Sequence, residues 1–184
     1  VMSLAPFFLI LFLDTKDTTR KAAWTYLVAA HLGGLFLLLF FLLLGREFHS
    51  LDFSLFHAES LPSTTRNLLF ALALIGFGAK AGIIPLHVWL PEAHPAAPSH
   101  VSAYMSGVMI KMGIYGLMRT MLLLGAPSMI WAEVLVISGI AAGILGVLFA
   151  IAQHDLKRLL AYHSVENIGI ILLGFGIGLV GVNR

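Results

Sequence analysis

Apolar positions along this 184-residue chain fall in long unbroken runs, without the apolar–polar alternation that half-buried or barrel strands require. Five runs, at residues 21–44, 66–90, 99–124, 131–152 and 158–182, are long enough for helices that cross a hydrocarbon core of about 30 Å, which takes roughly 20 residues. A shorter run at 1–13 reads as the second half of a helix that begins upstream. It has neither the basic start nor the small-residue cleavage site of a signal peptide. The pattern predicts an all-α polytopic membrane protein, with residues 1–184 forming one transmembrane bundle. Residues 45–65 form the one long connection, polar enough to lie in the interface or in water. There is no internal repeat.

Composition strengthens this picture. The chain is 59% hydrophobic and 11% charged, with a mean hydropathy of +0.96, far from the soluble balance of about 45–50% apolar and about 25% charged. Its net charge of +2 is spread over short loops without a basic run, which argues against nucleic-acid binding and against attachment to a membrane surface. There is no cysteine, so no thiolate-ligated iron–sulfur cluster can form; no cofactor is expected in this chain, and any electron transfer belongs to partners. Loop cations give the orientation. Lys16, Arg20, Lys21, Lys157 and Arg158 fall on one side, with the turn around Glu92, against Arg46, Arg66 and Arg119 on the other, so the first side is assigned to the cytoplasm.

Two lysines violate the apolar pattern. Lys80 lies about 20 Å into its segment at 1.5 Å per residue, and Lys111 is similarly central in the next. Each costs about 2.5–3.5 kcal/mol on insertion scales unless it faces the bundle interior or water. Desolvation disfavours the charged form of a lysine, so a buried one can exchange a proton near neutral pH where a surface lysine cannot. Snorkelling or structural pairing is the alternative reading of both. Gly82 and Pro85 follow Lys80, and a proline within a helix removes one hydrogen bond and clashes with the carbonyl four residues earlier, here Ala81. A break beside a buried lysine points to an ion pathway, because freed carbonyls at membrane depth are tolerated where they line a cavity.

The stretch "GFGAKAGIIPLHVWLPEAHPAAPSH" continues past the break with His87, Glu92, His94 and His100. The histidines are seven and six residues apart, which matches no compact metal-ligand pattern, so no metal site is expected. His87 and His94 are candidates for proton relay, weighed against plain hydrogen bonding at a turn; Glu92 is a supporting candidate. Tyr104, Lys111, Tyr115 and Arg119 share one helical face, while the methionine stripe Met105, Met109, Met112 and Met118 is expected to pack the bundle. In "QHDLKRLLAYHSVENIGII", Lys157 and Arg158 read as topology anchors. His163, Glu166 and Asn167 share a face, with Glu166 expected to turn inward because a carboxylate facing lipid is costly. His31, beside Gly33 and Gly34, fits helix packing or a relay equally.

"GFGAKAGIIPLHVWLPEAHPAAPSHVSAYMSGVMIKMGIYGLMR" followed by "DLKRLLAYHSVENIG" resembles the proton-conducting membrane transporter family, the antiporter-like subunits of respiratory complex I, multisubunit sodium/proton antiporters and membrane-bound hydrogenases. The resemblance covers essentially the whole chain. "SVENIG" departs from the "SVSHMG"-like form of complex I subunits, with Asn167 in place of a histidine and Glu166 in place of a serine, and is nearer to the formate hydrogenlyase subunit 3 and hydrogenase-4 component B type.

The resemblance implies a fourteen-helix protein of which this chain is the middle, with Lys80 as the switching lysine of a discontinuous helix and Lys111 as the connecting lysine. It also implies a partner glutamate before Val1 and a second broken helix beyond Arg184. The function it implies is proton translocation coupled to electron transfer in partner subunits, namely other membrane subunits and a peripheral redox arm, in a bacterial or archaeal cytoplasmic membrane. A sodium/proton antiporter subunit and a non-conducting membrane anchor for a hydrogenase are the alternatives.

Overall fold

The computed structural model describes residues 3–12, 16–50, 52, 53, 56, 61–125 and 127–182, which are helical with short connections and include no strand. In chain order the helices are α1 (Leu4–Leu11), α2 (Asp17–Phe48), α3 (Ser63–Ala81), α4 (Trp89–Ala96), α5 (Ser99–Tyr104), a π-helical turn (Met105–Met109), α6 (Ile110–Leu124), α7 (Met129–Ile151) and α8 (Leu156–Val182). Helices are the expected solution, since in lipid each must satisfy its own backbone groups.

Four helical stretches among the described residues are long and apolar enough to cross a membrane: Asp17–Phe48, Ser99–Leu124, Met129–Ile151 and Leu156–Val182. The fifth expected crossing, residues 66–90, is not one helix. It divides into α3 and α4, and the division begins earlier than the proline alone would dictate. Helix α3 stops at Gly82, whose left-handed backbone (φ 76°) is one a side chain resists. The Gly82 N–H and the Ile83 N–H (2.9 Å) both donate to the Gly78 carbonyl, a Schellman-type stop. Pro85 then lies in the connecting turn, with a cis Ile84–Pro85 bond, three residues beyond the point where the helix has already ended.

Lipid supplies little hydrophobic force between helices, so close packing of small residues carries the association. The α7–α8 hairpin is built this way. A Cβ on Gly169 would lie 2.5 Å from the Gly143 nitrogen, and one on Gly139 would lie 2.8 Å from the Gly169 carbonyl oxygen. Helices α2 and α3 meet at Gly33 and Gly76, where a Cβ on Gly33 would reach the Gly76 oxygen at 3.1 Å. Trp131 joins α7 to α3 by stacking on Phe70 at 4.7 Å and donating its indole N–H to Asn67 Oδ1 at 2.7 Å. Met105 and Met109 are fully buried, as expected of the methionine stripe, but Met112 is exposed. Within the long connection, where residues 51, 54, 55 and 57–60 lie outside the described residues, Phe56 is buried and its ring lies 5.1 Å from that of Phe48.

One end of the bundle collects the start of α2, the α4 segment and the start of α8. A crevice of about 550 Å³ there is lined by Lys16, Lys21, Glu92, Asp155 and Arg158 among others. These are residues that the alternation of loops assigns to one side of the membrane.

Candidate functional site

The broken helix places Lys80 in the last turn of α3, half-buried, with its ammonium donating to Ser3 Oγ at 3.3 Å. Two features hold this end of α3. The Trp89 indole N–H, from the first turn of α4, donates to the Ala79 carbonyl at 2.8 Å, so a carbonyl that helix termination leaves without an intrahelical partner gains a side-chain donor. The Trp89 ring is 2% exposed and packs edge-on against Tyr26 at 5.2 Å, and the Tyr26 hydroxyl donates to Met109 Sδ at 3.6 Å. The second feature is Gly113 on α6. A Cβ there would lie 2.8 Å from both the Ala81 nitrogen and the Phe77 carbonyl oxygen, so α6 crosses against the backbone beside Lys80, two residues past Lys111.

Lys111 itself is exposed on the described bundle, as are Tyr104, Tyr115 and Arg119, so the face they share points away from the helices present here. Its ammonium returns to the Ser106 carbonyl at 3.3 Å, within the π-helical turn. Such turns frequently mark functional sites. From the same residue, Ser106 Oγ shares a hydrogen bond with Ser164 Oγ at 3.0 Å, which ties the Lys111 segment to α8. Ser164 adjoins His163, whose Nδ1–H donates to Glu166 Oε2 at 2.6 Å. Glu166 is partly buried against α7, where the absent side chain of Gly146 leaves room: a Cβ there would lie 2.8 Å from the Glu166 nitrogen. Asn167 is exposed.

The remaining candidates separate into two groups. His94 is buried beside the break, and its Nδ1 shares a short hydrogen bond with Ser102 Oγ. Burial holds the His94 imidazole below its ordinary range, and the nearby Lys157 ammonium depresses it further. His87, in the connecting turn, has a buried Nδ1 with no hydrogen-bond partner among the described residues. By contrast, His31 is exposed and bonded only locally, to the Leu27 carbonyl at 2.8 Å, and Glu92 is exposed at the rim of the end crevice. The hydroxyls of Ser102, Ser106 and Ser164 and the indole of Trp89, which carry no charge and have no distinctive spacing, make hydrogen bonds beside these candidates that the lysine, histidine and glutamate pattern does not express, although a serine in an apolar helix is itself a weak signal. No group of three or more His, Asp or Glu side chains with metal-binding geometry occurs among the described residues.

A discontinuous helix with a lysine in the last turn of its first half, crossed by a second lysine-bearing helix among helices of membrane-crossing length, defines a polytopic all-α membrane segment. The chain belongs to the NADH:quinone oxidoreductase/Mrp antiporter transmembrane family, whose model matches residues 1–184. It is 48% identical over 188 residues to hydrogenase-4 component B of Escherichia coli (strain K12), covering 100% of this chain and 28% of that protein. It is 37% identical to formate hydrogenlyase subunit 3 of the same organism, covering 99% of this chain and 29% of that protein. Among solved structures, the Mrp complex of Dietzia sp. DQ12-45-1b superposes with a TM-score of 0.87 at 28% identity, over 96% of this chain and 20% of that one. The chain therefore spans under a third of the length of each of these three proteins. It is a multi-pass membrane segment of an antiporter-like subunit of the kind found in hydrogenase, NADH:quinone oxidoreductase and Mrp complexes.

Proposed function

We propose that this chain is the part of a membrane subunit through which protons pass by way of two membrane-embedded lysines, Lys80, half-buried, and Lys111, which the described helices leave exposed, driven by electron transfer in partner subunits of a hydrogenase or NADH:quinone oxidoreductase-like complex. The observation that carries this reading is the approach of α6, at Gly113, to the backbone beside Lys80 where α3 stops. It brings the helices of the two membrane-embedded lysines together at a discontinuity, where a change in lysine charge can be felt across the contact. In this reading Lys80 alternates between protonated and neutral forms, Lys111 receives and passes on the proton, and His163 with Glu166 forms a neighbouring relay position linked through Ser164 and Ser106. His87 and His94 are secondary relay positions. The partners are other membrane subunits and a peripheral redox arm, and the location is a bacterial or archaeal cytoplasmic membrane. Both are supported by the kinship with hydrogenase-4 component B.

Substituting Lys80 by alanine in the full-length protein tests the reading, since coupled proton pumping in proteoliposomes should be abolished. Sodium/proton exchange is the second reading, supported by the word antiporter in the description of the family that the chain matches. It predicts transport that follows a sodium gradient in the absence of any electron donor.

A further inference from the structure

Lys157 was expected only to mark the membrane boundary beside Arg158, but it does not point into solvent. Its ammonium reaches 60 residues back along the chain to donate to the Ala97 carbonyl at 2.8 Å. Ala97 is 1% exposed and lies between the end of α4 and the start of α5, in extended conformation (ψ 148°). A buried carbonyl in such a turn needs a donor, and the donor comes from the first turn of α8. Arg158, the neighbouring cation, is exposed; its backbone N–H donates to Asp155 Oδ1 at 2.8 Å, and its guanidinium has no hydrogen-bond partner among the described residues. The two adjacent cations therefore have different roles despite equal charge and equal depth.

The turn that Lys157 grips closes the broken element. Helix α4 is eight residues long, too short to hold its position alone. At its start, Trp89 ties it to the Ala79 carbonyl beside Lys80. At its end, Lys157 ties it to α8, in the turns that precede His163 and Glu166 on the same helix. His94, in the last turn of α4, is bonded to Ser102 of α5 and lies close enough to Lys157 for the two to interact electrostatically.

We propose that Lys157 is a positioning residue that locks the end of the half-helix following Lys80 to the start of α8, so that the broken helix and the helix of His163 and Glu166 move as one piece. The inference rests on the proton-translocation reading above for its functional part, and on the hydrogen bond alone for its structural part.

The test uses the full-length protein in its complex, in membrane vesicles, with three variants. Lys157→Met removes the donor, Lys157→Arg keeps one, and Arg158→Met removes an equal charge at the same depth. The readouts are amide hydrogen exchange in the segment 97–104 and protons pumped per electron. Lys157→Met is expected to raise exchange at least tenfold and to lower the pumping ratio at least threefold while electron transfer continues, Lys157→Arg to restore at least half of the ratio, and Arg158→Met to behave as the unsubstituted protein. Equal exchange in Lys157→Met and Arg158→Met would overturn the clamp. Raised exchange with an unchanged pumping ratio, in a complex whose pumping Lys80→Ala abolishes, would overturn the positioning role. If Lys80→Ala itself leaves pumping unchanged, the translocation reading falls, and the exchange data still decide the clamp.

Discussion

Replacing Gly113 by alanine should separate the two lysine-bearing helices. The added Cβ would lie 2.8 Å from the Ala81 nitrogen and the Phe77 carbonyl oxygen and 3.0 Å from the Ala81 Cβ, whereas ordinary contact begins near 3.4 Å. Two of these neighbours are backbone atoms, which cannot rotate away, so α3 and α6 must part by about 0.6 Å at the level of Lys80. Overpacking of this kind costs about 1–3 kcal/mol, and at 2 kcal/mol the unfolding equilibrium shifts by roughly 30-fold. Gly107, one helical segment earlier, provides the control, because a Cβ there meets nothing within 4 Å. Its alanine variant should stay within about 0.5 kcal/mol of the parent. Reversible unfolding of the full-length protein in bicelles measures both, and pumping in the assembled complex should fall for Gly113→Ala alone. Equal stability of the two variants would refute the claim that backbone contact at Gly113 sets the approach of these helices.

Two further outcomes follow from the same geometry. Trp89→Phe keeps the aromatic packing against Tyr26 but leaves the Ala79 carbonyl without its indole donor; a loss of about 1–3 kcal/mol in the same unfolding assay is expected, and a neutral result would argue against the indole as the cap of the break. His94 is held below the ordinary histidine range in the fold, so as pH falls the unfolded chain takes up this proton first and stability is lost. The loss begins below about pH 6.5, with a slope of at most about 1.4 kcal/mol per pH unit. Thermal midpoints at pH 7.5 and 5.5 should converge in His94→Gln relative to the parent; an unchanged difference would place the acid sensitivity elsewhere.

The fold was largely legible because lipid makes apolar run length a direct reading of helix position. Hence α2, the α5–α6 stretch, α7 and α8 lie where the runs predict, with ends shifted by up to four residues, as at Asp17 and Phe48. The break was legible at Gly82 and Pro85, both of which the sequence marks; what it left open is the division between them, with Gly82 ending α3 through its left-handed backbone and Pro85 lying in the turn beyond. Charge singled out Lys80, Lys111, His163 and Glu166 as candidates, whereas the hydrogen bonds around them run through hydroxyls, carbonyls and an indole, which have no distinctive spacing. The bond of Lys157 to Ala97 was not legible for a related reason: a cation at a helix start has the same sequence signature whether it faces headgroups or a buried carbonyl 60 residues away. The π-helical turn at Met105–Met109 is likewise silent in the sequence, since it alters hydrogen bonding without altering residue type.

The central claim is that protons pass by way of Lys80. Its most direct test is proton uptake by proteoliposomes containing the full-length complex, with electron transfer followed in the same sample. With Lys80→Ala, the account predicts that the electron-transfer-driven proton gradient disappears. An unchanged number of protons per electron would contradict it.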